Sequence, residues 1–365
     1  MKSRQMLDLR CPFCAATALR LTQVIYWPGS LDVRFGLLRC DCDVFPIVEG
    51  IVVMRRNQQL VVEELLRAYR TRTTPDMLLV LQQLSEFRLI ERRVFVVLVR
   101  ITSSIKKLMP RFHQSHALLW WKLGLTVMSV LSTNHFLRLV FSYFRDRDQR
   151  PTYCLVASVL PLLKTARVVV EVGGGAGHFV RELSQELPSS ALYSLEKNFW
   201  LVYWLVCNGL YRSNVCPIVI NFEGGLPLKN SLADAVMAND TIMYVNHQHR
   251  LATEMRRVMK KSGWCIGMHI HQHGKKNIAQ GNGVNPRELM KWLGLPYSVT
   301  WSDRSLFQQL WTKKKLEFET KPNQKVISVG DNSYSFIASN RQKMGALQLR
   351  SRYLRNQLNY VEDQW

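Results

Sequence analysis

The spacing of apolar positions changes twice along the chain. Up to about residue 58 the apolar runs are short and broken by turn signals: Cys11-Pro-Phe-Cys14, Pro28-Gly29, then Leu37–Val53. These read as strands of a small hairpin domain. From about 59 to 160 apolar residues recur three and four apart, which predicts helices over Leu60–Tyr69, Met77–Ile90, Ala117–Leu131 and His135–Phe144. From 161 to about 340 short runs that are apolar on both faces alternate with helical stretches. That alternation predicts βαβ units around a covered parallel sheet. Its strands are Arg167–Val172, Ala191–Leu195, Pro217–Asn221, Ala233–Ala238 and Trp264–His269, with Ser333–Ala338 returning late to the sheet edge. The tail from Arg341 is basic and predicted helical. The fold class is therefore α/β, a doubly wound sheet over 161–340, preceded by a small domain over 1–58 and a helical insert over 59–160, and followed by a basic extension over 341–365.

Charge alters this picture more than composition does. The chain has 365 residues, 47% of them apolar, enough for a sizeable core. Its formal net charge is +22. A field of that sign attracts polyanions, and both RNA and an anionic membrane surface fit it. The excess is spread from Arg55-Arg56 to Arg350-Ser-Arg352, so no single basic groove is marked. The opening residues lack the apolar stretch of a secretory leader. The eight cysteines do not form a disulfide framework, so a reducing, cytoplasmic setting is expected. Ala117–Leu131, interrupted by Lys122, falls short of the ~20 apolar residues a membrane span needs. It reads as a buried helix or an interfacial one.

The chemistry centres on Val168-Val-Val-Glu-Val-Gly-Gly-Gly-Ala-Gly177, a strand running through a glycine-rich turn into a helix over His178–Leu187. Glycines there permit positive φ and close approach of a ligand, and the helix start offers unpaired N–H groups. A nicotinamide fingerprint needs G-x-G-x-x-G/A. Counted from Gly173 the third glycine would be His178, and counted from Gly175 it would be Val180, so both readings fail. The pattern is acidic-x-G-x-G-x-G, and it resembles the first motif of class I S-adenosylmethionine-dependent methyltransferases, in particular the type 11-like group. The resemblance implies that Glu171, Gly173, Gly175 and Gly177 hold the amino-acid end of S-adenosylmethionine. Glu196 ends the second strand about twenty residues on, where a carboxylate can accept from both ribose hydroxyls. The family places an acidic adenine contact where this chain has Asn221, whose amide oxygen can still accept from an amine. Phe222 can pack on the adenine ring. Leu226-Pro227 and Asp234 match the segment leading into the fourth strand. Asn239 and Asp240 end that strand, at the edge where open α/β sheets bind ligands. Glu254–Gly263 resembles the structural helix and turn before the family's fifth strand.

Cys11 and Cys14 form a knuckle, and Cys40 and Cys42 follow a hairpin later. Four thiolates make a closed structural zinc site. With Phe45-Pro-Ile and Gly50-Ile, the region resembles the small zinc-ribbon-like domain of some tRNA, rRNA and release-factor methyltransferases, similar to their small activator subunit. That family has C-x-x-C as its second pair; here it is C-x-C, and relatives keep the fold without metal. His269, His271 and His273 alternate at period two, so all three face one side of a strand or leave its end together. They line the pocket, supply a base or bind metal; no carboxylate in the sequence nearby argues for metal. His247 and His249 read as solvated, and Trp120, Trp121 and Trp200 as core.

Together these features imply methyl transfer from S-adenosylmethionine to an oxygen or nitrogen nucleophile, with His269 or His271 as the base an oxygen acceptor requires. The acceptor stays open between RNA or a translation-related molecule and a small metabolite or glycan. The chain lacks an Asn-Pro-Pro-Tyr-type motif after the fourth strand. The rival reading is a non-catalytic protein that uses the same scaffold to hold RNA or a partner; loss of cofactor binding is what would distinguish it.

Overall fold

A computed structural model describes residues 3–56, 59–71, 89–132, 135–272, 282–322 and 332–349. Its strands, in chain order, are β1 (Arg20–Tyr26), β2 (Val33–Arg39), β3 (Val44–Val48), β4 (Ile51–Met54), β5 (Val168–Val172), β6 (Ala191–Glu196), β7 (Val215–Ile220), β8 (Ala233–Asn239), β9 (Met259–His271), β10 (Tyr297–Ser302), β11 (Lys315–Glu319), β12 (Lys321–Pro322), β13 (Ser333–Ser339) and β14 (Met344–Gln348). The chain divides into two compact units. The first comprises 1–146, 175–181 and 196–221; the second comprises 147–174, 182–195 and 222–365.

In the first unit β1 to β4 form an antiparallel meander, and β4 continues into a parallel pairing with β7. Helices over Gln59–Thr71, Leu89–Leu108, Pro110–Ser115, Ala117–Leu131 and His135–Asp146 belong to it, as does Phe199–Cys207. The helix over Ala117–Leu131 falls where the pattern predicts it. The helix expected over Met77–Ile90 lies mostly outside the described residues. The described helix begins at Leu89 and runs to Leu108. Seven residues of Phe199–Cys207 are buried, because this helix is apolar on every side. It packs with Trp121, Leu125 and Met128 in one core, where the Trp204 indole donates to the Trp121 carbonyl at 3.2 Å. Trp121 and Trp200 are core residues, as expected, whereas Trp120 is half-buried.

In the second unit the strand order is β6-β5-β8-β9-β13-β10-β12. β6, β5, β8 and β9 run parallel; β13 runs antiparallel to β9, and β10, antiparallel to β13, resumes the common direction. The strands predicted over 161–340 are all present, within a few residues at their ends apart from the longer β9. Asp234, in β8, fastens the start of β5: its Oδ2 accepts from the backbone N–H of Arg167 (2.8 Å) and Val168 (2.9 Å). Its Oδ1 accepts from Lys260 Nζ at 2.7 Å. The described part of the tail departs from expectation; residues 350–365 lie outside the described residues. Residues 344–348 are a strand paired with β11, not a helix, and Leu347 in it is buried. Apolar contact with the β11 side wins there over the local helical bias of a basic stretch.

Burial raises the Asp234 carboxyl, but Lys260 and the two backbone donors outweigh it and hold the group below the ordinary carboxylate range. A depressed carboxylate pKa contributes stability that is complete above the unfolded value and lost as pH falls through the folded one. Asp234→Asn is therefore expected to destabilise the protein by about 1–3 kcal/mol at neutral pH. The gap between variant and wild type should close in acid. Denaturant unfolding at the two pH values measures it; a gap independent of pH would assign the effect to shape rather than charge.

Candidate active site

The chain leaves β5 through Gly173-Gly-Gly-Ala-Gly177 and enters a helix over His178–Glu186. Gly173, Gly175 and Gly177 all have positive φ, at 75°, 51° and 74°. In the second unit the N–H groups of Gly173 and Gly174 both donate to the Leu195 carbonyl, at 2.8 and 3.0 Å. A Cβ on Gly173 would stand 2.1 Å from Thr241 Oγ1, so only glycine lets the ends of β5 and β8 come this close. Glu171, two residues earlier, is buried.

In the first unit the Glu196 carboxylate organises the other half of the turn. Oε2 accepts from the Gly175 N–H at 2.7 Å and Oε1 from the Asn198 N–H at 2.9 Å. Asn198 then caps the following helix through the N–H groups of Trp200 and Leu201. Asn221, just past β7, is half-buried in this unit. Phe222 is buried in the second unit. Asn239, at the end of β8, is buried, and neither end of its amide finds a hydrogen-bond partner among the described residues. An unsatisfied buried polar group costs about 1–3 kcal/mol, so its persistence favours a ligand as partner.

Beside Asn239 the second unit gathers its titratable groups. Asp240, His269 and His271 bring one ligand atom each within 4.8 Å of one another. His269 Nδ1 lies 2.8 Å from Asp303 Oδ2, and Asp303 is fully buried. Its other oxygen accepts from Ser335 Oγ at 2.5 Å. Asp240 Oδ2 accepts from Arg147 Nη1 at 2.8 Å. The backbone is strained here: Asp240 (φ 51°) and His269 (φ 58°) both sit in the left-handed region. β9 also bulges at this point. Phe336 pairs with Gly267 and Tyr334 with Ile270, so Met268 and His269 together oppose Ser335, whose Oγ accepts the His269 N–H at 3.2 Å. Bulges re-aim side chains next to active sites. The imidazoles of His269 and His271 end 4.7 Å apart, centroid to centroid. Burial pushes His269 down, but the bond to Asp303 and the charges of Asp240 and Asp303 carry it above its ordinary value. His271 is lowered by burial and by its neighbour His269. His273 lies outside the described residues. His247 and His249 line a separate, open depression with Arg250 and Trp292.

Asp303, Ser335, Arg147 and Thr241 are the members that sequence reasoning missed. Asp303 follows the N-cap Ser302 and opens a helix, so in sequence it reads as an ordinary first-turn acid. Only the register of β10 against β13 and β13 against β9 brings it to His269.

At the N-terminus the four spaced cysteines converge. Cys11 Sγ lies 3.4 Å from Cys42 Sγ, Cys14 Sγ 3.2 Å from Cys40 Sγ, and Cys40 and Cys42 are 3.7 Å apart. A tetrahedral zinc with ~2.3 Å bonds needs sulfurs about 3.8 Å apart. The C-x-C pair thus has the required reach, and the cluster is compatible with zinc. The Cys14 thiol is drawn down to about 7, chiefly by a backbone hydrogen bond from Ala16 and by Cys40, whereas burial pushes Cys42 up.

A family model for a methyltransferase domain matches residues 170–267. No curated protein matches the chain. Among solved structures the chain is similar to one from the complex between the Haloferax volcanii Trm112 methyltransferase activator and its methyltransferase. That match has 16% identity and a TM-score of 0.38, over 46% of this chain and 77% of that one. It is also similar to geranyl diphosphate C-methyltransferase from Streptomyces coelicolor A3(2), with 13% identity and a TM-score of 0.38 over 60% and 85%. A third is Haemonchus contortus phosphoethanolamine N-methyltransferase 2, with 13% identity and a TM-score of 0.37 over 54% and 52%. Residues 170–267 thus match a methyltransferase domain, the sheet around them is Rossmann-like, and S-adenosylmethionine is the cofactor such a domain implies.

Proposed function

We propose that the protein transfers the methyl group of S-adenosylmethionine to an oxygen or nitrogen nucleophile, and that the histidine pair at the end of β9 takes the acceptor's proton. Glu171, Gly173, Gly175 and Gly177 hold the amino-acid end of the cofactor, Glu196 the ribose, and Asn221, Phe222 and Asn239 the adenine side. S-adenosylmethionine supplies an activated methyl cation equivalent. The chain's own residues orient the acceptor and remove its proton.

The observation that carries the proton-transfer reading is the buried Asp303–His269 pair beside His271, in the same unit as Gly173 and Thr241. Asp303 fixes the His269 tautomer and favours its protonated form. A pair of imidazoles with pKa values pushed apart is the arrangement that divides acid and base roles. The three donors of Asp240, His269 and His271 would also span a cation. However, the Arg147 guanidinium already holds the Asp240 carboxylate, and its charge opposes one.

His269 above its ordinary value places the rising limb of a pH–rate profile above about 6.5. Asp303→Asn removes the support, so the limb should move to lower pH while the rate falls. His269→Ala should lower transfer of label from methyl-tritiated S-adenosylmethionine by about 10²–10⁴-fold. Proton NMR of the His269 ring provides a check independent of any acceptor. Its pKa should drop in Asp303→Asn; an unmoved titration defeats the pairing. Transfer that is lost on chelation and restored by a divalent ion, while the melt of the N-terminal strands stays unchanged, would replace the base with a metal site.

A further inference from the structure

The helices over Leu89–Leu108 and Ala117–Leu131 are apolar on two opposite sides. At about 100° per residue, Val97, Ile101 and Leu108 lie on the side of the first helix opposite Val96 and Val99. Val96 and Val99 are buried in the core, whereas Val97, Ile101 and Leu108 are exposed, Leu108 to 78%. The second helix repeats the arrangement. Trp121, Leu125 and Met128 face the core, and Leu119, Leu123 and Val130 emerge on the far side, with Leu119 61% and Val130 64% exposed. Between the helices Met109 and Phe112 are exposed as well. Eleven of the seventeen large exposed hydrophobics among the described residues fall between Val97 and Leu139, which concentrates them on this one helical segment.

Charge on the same segment has a single sign. From Arg92 to Arg145 the sequence has nine Lys and Arg and no Asp or Glu. On the first helix Arg93, Arg100 and Lys107 follow a line beside the exposed apolar stripe, and all three are exposed. Lys106 and Arg111 add exposed charge at its end. No helix among the described residues is long and apolar enough to cross a membrane. A helix packed only against its own protein needs one apolar face. A second apolar face bordered by cations and free of anions matches the boundary between acyl chains and anionic headgroups. Nucleic acid would use the cations but gains little from exposed Leu and Val.

We propose that this helical face attaches the protein peripherally to an anionic membrane, with the Leu119/Leu123/Val130 and Val97/Ile101 stripes entering the headgroup boundary and the flanking Lys and Arg meeting acidic lipid. The attachment does not depend on the methyl-transfer reading. Full-length protein should sediment with vesicles of phosphatidylcholine and phosphatidylglycerol, much less with phosphatidylcholine alone, and should be released by high salt. The variant Leu119→Ser/Leu123→Ser/Val130→Ser and the variant Lys106→Ser/Lys107→Ser/Arg111→Ser should each lower vesicle partitioning about tenfold or more. These side chains are exposed, so an unchanged melt is expected and confirms folding. Absence of sedimentation, or sedimentation that neither variant reduces, overturns the proposal. So does binding of an RNA oligonucleotide that needs the basic trio, ignores the apolar trio and persists against vesicles.

Discussion

Cys11→Ser is expected to cost the protein a metal ion and the order of its N-terminal strands together. Cys11 is the buried member of the thiol cluster, and its sulfur faces Cys42. Protein purified without added metal should carry about one equivalent of zinc. The serine variant should carry far less. Structural zinc binding is folding free energy, about 10–16 kcal/mol in zinc-finger peptides. β1 is mostly exposed and adds little core of its own, whereas β2 to β4 are buried, so the loss should fall on the β1 end. The variant should therefore lose a cooperative part of its melt and become open to proteolysis between β1 and β3. Chelation of wild-type protein should reproduce both effects. Metal-free wild type with an unaltered, cooperative melt would show instead that the four thiols are small core residues of an apo domain.

Glu196→Ala is expected to weaken S-adenosylmethionine binding about tenfold or more, the worth of a charge-assisted hydrogen bond. Two effects add. The carboxylate is the proposed acceptor for the ribose hydroxyls, and it also holds the Gly175 and Asn198 N–H groups. A carboxylate offers about four lone-pair sites, so two backbone donors leave capacity for the sugar. Glu196→Gln keeps the shape but turns one acceptor into a donor, and its affinity should fall between wild type and alanine. Calorimetry on folded protein measures the series. An undiminished affinity in Glu196→Ala would place the ribose elsewhere and would reopen the non-catalytic reading of the scaffold.

Much of the fold was legible because its signals are local. Strands buried on both faces, such as β5 and β7, carry continuous apolar runs, and the glycine turn carries its positive φ values in its composition. The helix over Ala117–Leu131 shows in its sequence that it is apolar all round, though not which side faces outward. The cysteine pairs predicted their own meeting, yet C-x-C argued against the reach that the hairpin supplies. The proposed catalytic groups were half visible. Period two brought His269 and His271 together on paper, but the absence of a nearby carboxylate was a statement about sequence distance. Asp303 lies 34 residues from His269 and touches it only because two antiparallel pairings fold β10 and β13 back along β9. The strand at 344–348 was missed for the same reason: its partner, not its composition, decides its conformation.

The bulge in β9 makes the position of the imidazoles a matter of chain length. Gly267 and Ile270 are three residues apart, yet their partners Phe336 and Tyr334 lie on one face of β13. The extra residue therefore shifts the alternation along β9 from that point on. A deletion of Met268 would remove the bulge and leave Ile270 opposite Tyr334 and His271 opposite Ser333, so what the extra residue sets is the left-handed backbone and the aim of His269. Relatives that lack the extra residue would keep the same His-x-His letters and the same side of the sheet, but would turn the His269 ring differently toward Asp303.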